Sequence, residues 1–484
     1  MTLKMRLPIH VSLLAAIVML TAPLGASRPL FTAAFPPAEF ADHRARVFDA
    51  IGDAVAVLQG APELSSYLRF RQNNHFFYLT GVEAPRALVL LDGRTKTTTL
   101  FLAPANDAMV RAEGPVLVAG KDAERLTGIA DIRPRDAFRE TFTALVGAGR
   151  TVYTPFRGES VAAVTPDAVQ RHAAAAAADP WDEQPSREAG FRQKLAAAAP
   201  AASIRDLDPI LDKLRVTKTA REIAAIREST RVAGLAMAEA MRSASPGMHE
   251  HEIEAIGDWV FKAHAAQGIA YFGLVATGAN AIYPHYHAGT DELKDGNLVL
   301  FDYAPDIDYY SSDVTRMFPA NGRFSPAQRE LYGTYVKLYS ALMAGIRPGA
   351  APSAIISQVV PVMDRIVSST SFSQPAYRAA AERFVDGFRH NTRNRLGHFV
   401  GMEVHDVSTD FDTLTPGMVF TIEPQLVVPE ERIYIRLEDV IVVTPTGYEN
   451  LSSFVPIDIE GIEKTMAEAG RFESHHVPES ALRP

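Results

Sequence analysis

Cysteine is absent from all 484 residues, which excludes a disulfide framework, a thiolate metal site, a cysteine nucleophile and a lipidated cysteine. Positive charge is in deficit: 48 Lys and Arg against 57 Asp and Glu leave a formal net charge of -9, and no basic run marks a nucleic-acid surface. A membrane-spanning run is missing as well. The apolar stretch from Val11 to Ala22 stops at Pro23, short of the ~20 residues that cross a bilayer, so no stable membrane insertion is expected. With Lys4 and Arg6 ahead of it and Gly25-Ala26-Ser27 behind it, the stretch reads as a signal peptide over residues 1–26. Its removal on export leaves a secreted or periplasmic protein.

What is present is ordinary globular material, 47% hydrophobic and 22% charged, in a chain long enough for two domains with their own cores. Short β-rich runs at 53–60, 76–81, 87–93 and 98–105 alternate with polar or helical pieces, so residues 27–212 are expected to form an α/β domain. The alanine-heavy segment 172–203 reads as a surface helix or variable linker near the domain boundary. Thr219-Ala220-Arg221-Glu222 then has the form of a capping box, and Ile223, Ile226, Thr230, Ala233, Met237 and Met241 follow at helical spacing up to Pro246-Gly247. That scaffold helix opens a second domain over 213–465, and 466–484 is a polar tail.

Two hairpins in the second domain carry opposed acids. In "VLFDYAPDIDYYSSDVTR" (299–316), a turn centred between Ile307 and Asp308 places Asp302 opposite Asp313. In "VFTIEPQLVVPEERIYIRLEDVIVV" (419–443), a turn centred between Glu430 and Glu431 places Glu423 opposite Glu438. Like charges so paired are destabilising unless something positive lies between them. Asp306, Asp308, Glu430 and Glu431 fall in the turns and are expected to be solvated. Between the hairpins, "NRLGHFVGMEVHDVS" supplies His398 and His405. Carboxylates with one imidazole suit Mn, Co, Fe or Zn. A single divalent ion leaves about two of the four negative charges uncompensated, whereas two ions balance them and can share a hydroxide, so a dinuclear centre is expected.

These elements resemble the M24 metallopeptidases of the pita-bread fold, most closely the aminopeptidase P (Xaa-Pro aminopeptidase) group. "FRQNNHFFYLTGVEAPRALVLL" (70–91) is similar to the N-terminal domain of that group, and D-x(10)-D, GH, VHD, TIEP and RLED follow in the family's order. The resemblance implies an α/β (α+β) architecture, with a creatinase/aminopeptidase P-like N-terminal domain preceding a pita-bread catalytic domain. It implies five metal ligands, Asp302, Asp313, His398, Glu423 and Glu438, with Asp313 and Glu438 bridging two divalent ions per chain. Manganese is expected first, with cobalt, zinc and iron as alternatives.

By the same resemblance, His285, in "IYPHYHAGTDEL", binds substrate; His405 contacts the scissile region; Arg436 lies near the site. Glu423 is expected to move the proton from the nucleophile to the leaving nitrogen, and His405 or His285 to donate to the oxyanion. The expected partners are peptides with proline at the second position, and a homo-oligomer is the family's habit. Prolidase activity on Xaa-Pro dipeptides is the first alternative and a noncatalytic peptide-binding module the second. Two departures from the family pattern, Asn394 in place of a histidine and Gln425 in place of a glycine, are expected to lie close to the substrate.

Overall fold

The computed structural model of the chain describes residues 34–63, 69–147, 149–160, 163–181, 185–392 and 394–472. The expected signal peptide (1–26) and residues 473–484 of the expected tail lie outside them. Among the described residues no helix is long and apolar enough to cross a membrane.

Val55–Gln59 (β1), Leu88–Asp92 (β2), Thr97–Leu102 (β3), Asp131–Pro134 (β4), Val152–Thr154 (β5) and Ile204–Asp206 (β6) form one mixed sheet in the order β4-β3-β2-β1-β5-β6. β1 to β3 form an antiparallel meander, while β4, β5 and β6 add in parallel. Because side chains alternate across a strand, Val55, Val57, Leu88 and Leu90 pack on Phe142, Val146 and Leu195. Ala56, Leu58, Val89 and Leu91 take the other face with Val47 and Phe48. The alanine-heavy segment belongs to this domain: it forms the helices Pro166–Ala178 and Arg187–Ala198, after which β6 returns the chain to the sheet.

The helix Arg187–Ala198 buries Glu188, whose Oε1 has no hydrogen-bond partner among the described residues. Burial pushes this carboxyl up to about 7, and nearby Glu159 adds to the rise. A carboxyl whose folded pKa is raised holds its proton longer than in the unfolded chain, so stability falls as pH rises from about 4.5 to about 7. Glu188→Gln removes that cost and is expected to raise stability at pH 8 by on the order of 2 kcal/mol, with little change at pH 4.5. Urea unfolding of both proteins at the two pH values checks this.

In the second half, Gly268–Ile269 (β7), Leu274–Thr277 (β8), Leu298–Asp302 (β9), Pro305–Ile307 (β10), Tyr310–Ser311 (β11) and Thr315–Pro319 (β12) form the sheets β12-β9-β8 and β11-β10-β7. Val419–Ile422 (β13), Gln425–Val428 (β14), Ile433–Arg436 (β15), Asp439–Val443 (β16) and Tyr448–Asn450 (β17) form β13-β16-β17 and β14-β15. A bridge between Thr315 and Glu438 joins the two halves of this arrangement. The helix Ala220–Ser243 packs along β10 and β11 and starts with the expected capping box: Thr219 Oγ1 accepts from Glu222 N, and Glu222 Oε2 accepts from Thr219 N.

Both hairpins form, and one register differs from expectation. Gln425 pairs with Arg436 and Ile422 with Asp439, so Glu423 and Glu438 fall opposite each other as expected. In the first hairpin Ile307 pairs with Tyr310 and Asp302 with Thr315. Asp308 and Tyr309 form its turn, with φ of 54° and 71°, the left-handed pair that suits a two-residue hairpin. Asp302 therefore does not face Asp313. The register is displaced by two residues, an even number, which keeps both carboxylates on one face. Asp306 also departs from expectation: it is buried and ion-paired, its Oδ2 accepting from Arg71 Nε at 2.8 Å.

Candidate metal centre

The ends of β9, β13 and β15, the break before β12 and the segment after Gly397 bring all five candidate ligands together. His398 Nε2 lies 3.4 Å from Asp313 Oδ2, 3.3 Å from Glu423 Oε1 and 3.7 Å from Glu438 Oε1. Ligand atoms of Asp302, Asp313 and Glu438 form one compact group, and those of His398, Glu423 and Glu438 another, each within 4.8 Å. A third group joins Asp313, His398 and His405, so Glu438, Asp313 and His398 each belong to two.

One imidazolium and one guanidinium face four carboxylates, so the cluster lacks positive charge. Burial pushes Asp302 up to about 7 against the pull of Arg436. Burial together with Asp313 and Glu423 holds Glu438 far above the carboxylate range. Asp313, although buried, and Glu423, half-buried, are both lowered by His398. Glu438 Oε1 has no hydrogen-bond partner among the described residues although it is buried. An oxygen-rich donor set with one imidazole and an orphaned buried oxygen is the environment a hard or borderline divalent cation satisfies.

Supporting residues that the sequence patterns did not single out fix these ligands. Tyr271 Oη donates to Asp302 Oδ1 at 2.6 Å or Asp313 Oδ1 at 2.7 Å, lying between them. Thr315 Oγ1 donates to Glu438 Oε2 at 2.9 Å. Tyr271 carries no local signal, since it stands 31 residues before Asp302; Thr315 follows once the true hairpin register is known.

A cavity of about 250 Å³ opens on the centre. Tyr271, Phe272, His285, Arg436 and all five candidate ligands line it, together with Asp167 and Arg171 of the helix Pro166–Ala178. A second, larger space of about 870 Å³ shares Asp167, His398, His405 and Glu423, and extends past Arg157 and Arg395. The N-terminal domain thus contributes walls to both spaces. The His405 ring stacks on that of His398, with centroids 3.9 Å apart. Arg436 pairs with Asp302 and lies 3.7 Å from Glu423 Oε2. Neither Asn394 nor Gln425 lines either space. Asn394 instead turns its Oδ1 onto the backbone N–H of Ser353 at 2.9 Å, where a helix begins.

Gly397 explains the Gly-His pair. A Cβ there would lie 1.8 Å from the carbonyl oxygen of Thr421, while Thr421 N donates to His398 O at 2.9 Å. Gly397→Ala is expected to force the strand and His398 apart, costing about 3 kcal/mol or more and weakening metal retention. Thermal unfolding with and without Mn, alongside metal analysis, checks both effects.

Comparison with known proteins agrees with this geometry. The model of metallopeptidase family M24 matches residues 224–445, and that of the aminopeptidase P N-terminal domain matches residues 40–153. The chain is 30% identical over 441 residues to the Xaa-Pro aminopeptidase of Escherichia coli (strain K12), covering 86% of this chain and 94% of that one. It is 25% identical to the mitochondrial intermediate cleaving peptidase 55 of Arabidopsis thaliana, covering 85% and 79%. The solved structure of proline aminopeptidase P II from Yersinia pestis superposes with a TM-score of 0.70 at 29% identity, over 90% of this chain and all of that one. The chain belongs to the M24 metallopeptidases: an aminopeptidase P-type N-terminal α/β domain is followed by a pita-bread catalytic domain. It is an aminopeptidase P-like metallopeptidase.

Proposed function

We propose that this chain is a two-metal exopeptidase that hydrolyses the N-terminal Xaa-Pro bond of peptides, with Asp302, Asp313, His398, Glu423 and Glu438 as ligands and manganese as the first metal. The observation that carries this reading is the convergence of four carboxylates and one imidazole around the orphaned Glu438 Oε1, in a chain similar over nearly all its length to Xaa-Pro aminopeptidases. Bound divalent ions supply Lewis acidity and a nucleophile available at neutral pH.

The residues of the chain do the rest. Glu423 is the best-placed proton carrier because its side chain is 28% exposed, against 8% for Asp313, 4% for Asp302 and 2% for Glu438. It also borders both spaces. His405, whose pKa burial and the neighbouring His398 push down, is suited to donate a hydrogen bond from a neutral ring to the developing oxyanion. His285 stands exposed at the cavity wall, placed to meet the incoming peptide. Arg436 neutralises Asp302 and orients Glu423. An Xaa-Pro bond has no N–H to dock, so the cavity must select proline by shape. The segment 1–26 supports export of the enzyme, and the resemblance supports a homo-oligomer.

The test is a mass-spectrometric time course with Mn-loaded protein on Ala-Pro-Phe, Ala-Pro and Ala-Ala-Phe. Alanine released from Ala-Pro-Phe and not from Ala-Ala-Phe is the expected result. Cleavage of Ala-Pro alone moves the reading to prolidase. Two bound metals with all three peptides intact refute the substrate class.

A further inference from the structure

A second buried charge cluster lies behind the metal centre and joins the two domains to the segment that carries His405. Its hub is Arg215, 2% exposed, at the end of the helix Asp208–Val216. A single guanidinium nitrogen, Nη2, donates to both Glu403 Oε2 and Asp406 Oδ1. The other, Nη1, meets His75 Nδ1 at 3.2 Å. Lys218 Nζ holds the second oxygen of Asp406 at 2.6 Å, and Ser160 of the N-terminal domain donates to Glu403 Oε1. Asn74 Nδ2, also from that domain, donates to Met402 O at 3.1 Å. Glu403 itself is wholly buried.

The two acids flank His405, one two residues before it and one directly after it. The His405 ring has no hydrogen-bond partner among the described residues; it stacks on His398, and one of its nitrogens lies within 4.8 Å of a carboxylate oxygen of Asp313. With no hydrogen bond of its own to hold it, the ring depends for its placement on the backbone of 403–406 as well as on that stack. That backbone is tightly folded, since Asp406 N donates to Phe399 O at 2.9 Å and Gly401 N to Glu403 O at 3.1 Å. A Cβ on Gly401 would sit 2.1 Å from Asp406 Oδ2.

We propose that Arg215 is a positioning residue: by clamping Glu403 and Asp406 together it aims the His405 ring into the cavity, so that the segment held by Ser160 and Asn74 of the N-terminal domain also sets the catalytic geometry. The proposal rests on the reading of His405 as a substrate-contacting histidine. A misplacement of about 1 Å in such a group costs on the order of 100-fold in rate. A purely structural ion cluster would instead lower the folded or metal-loaded fraction and leave the turnover of each loaded molecule unchanged.

The experiment is a double-mutant cycle with Arg215→Met, His405→Ala and the pair, all in the full chain, reading kcat and KM on Ala-Pro-Phe and metal content per chain. Arg215→Met is expected to keep its metal and change KM less than about threefold while kcat falls about 30-fold or more. In the His405→Ala background the same substitution should cost nothing further, because its route of action is gone. Arg215→Lys, which keeps the charge and loses the fork, should recover part of the kcat, and it carries the cycle if Arg215→Met does not fold. Losses that multiply in the double variant, or that track metal content, overturn the Arg215 assignment and leave the peptidase reading standing. A His405→Ala variant with the kcat of the unsubstituted protein overturns the Arg215 assignment together with the reading of His405 as a substrate-contacting histidine, and the peptidase reading stands.

Discussion

Glu423→Gln should keep two divalent ions per chain at saturating Mn while kcat on Ala-Pro-Phe falls by about 10³-fold, with KM nearly unchanged. Glutamine retains the size and one oxygen donor of Glu423 and loses its charge and the ability to take a proton; Glu423 belongs to one compact donor group where Glu438 belongs to two, so the charge lost weighs less on metal retention. His398 Nε2 at 3.3 Å and Arg436 Nη1 at 3.7 Å hold the Glu423 carboxylate ionised in spite of burial, so it is ready to accept a proton at neutral pH. The three remaining carboxylates are more deeply enclosed. A loss made only in the transition state lowers kcat and kcat/KM together. Metal analysis and steady-state kinetics on one preparation give the answer: full turnover removes Glu423 as proton carrier, and loss of both metal and turnover makes it a ligand alone.

The acids of the candidate centre were legible in the sequence, and what surrounds them was only partly so. Glu423 and Glu438 could be paired from symmetry because β13-β16 and β14-β15 keep one register across the break at Pro424. The first hairpin could not be placed to the residue, because its turn is fixed from outside. Tyr309 takes a positive φ with its ring stacked on Phe77 of the N-terminal domain, centroids 3.6 Å apart, and its hydroxyl on Glu83. No local pattern reveals such a contact. The same holds for Asp306, which looks like a solvated turn acid until Arg71, 235 residues away, is brought to it. Arg215 lies 188 residues from Glu403. Asn394 lines neither of the two spaces, and its Oδ1 accepts from the Ser353 N–H, a contact across 41 residues that no local pattern reveals.

Glu438→Gln should separate stability from metal binding more sharply than any other single change in the centre. Glu438 lies in both compact donor groups, so neutralising it removes a donor charge from each of the two ion positions. Retention is expected to fall from two ions per chain to fewer than one after dialysis, and peptide hydrolysis with it. The metal-free fold, by contrast, should gain. Burial, Asp313 and Glu423 hold the Glu438 carboxyl far above its ordinary range, and a carboxyl raised in this way makes the folded state lose stability as pH rises above its unfolded pKa. A neutral amide removes that cost at pH 8. Each bound ion at 100 times its dissociation constant adds about 2.7 kcal/mol to the unsubstituted protein, an increment the variant cannot collect. The expected pattern is a crossover. With a chelator at pH 8 the variant melts at or above the unsubstituted protein; with Mn the unsubstituted protein melts well above the variant, whose midpoint hardly moves. A variant that responds to Mn as strongly as the unsubstituted protein would show that Glu438 does not hold the ions. The reverse order without metal would show that its charge is already compensated by Thr315 and the neighbouring groups. In the first case the ligand assignment fails, and in the second only the account of charge in the metal-free centre does.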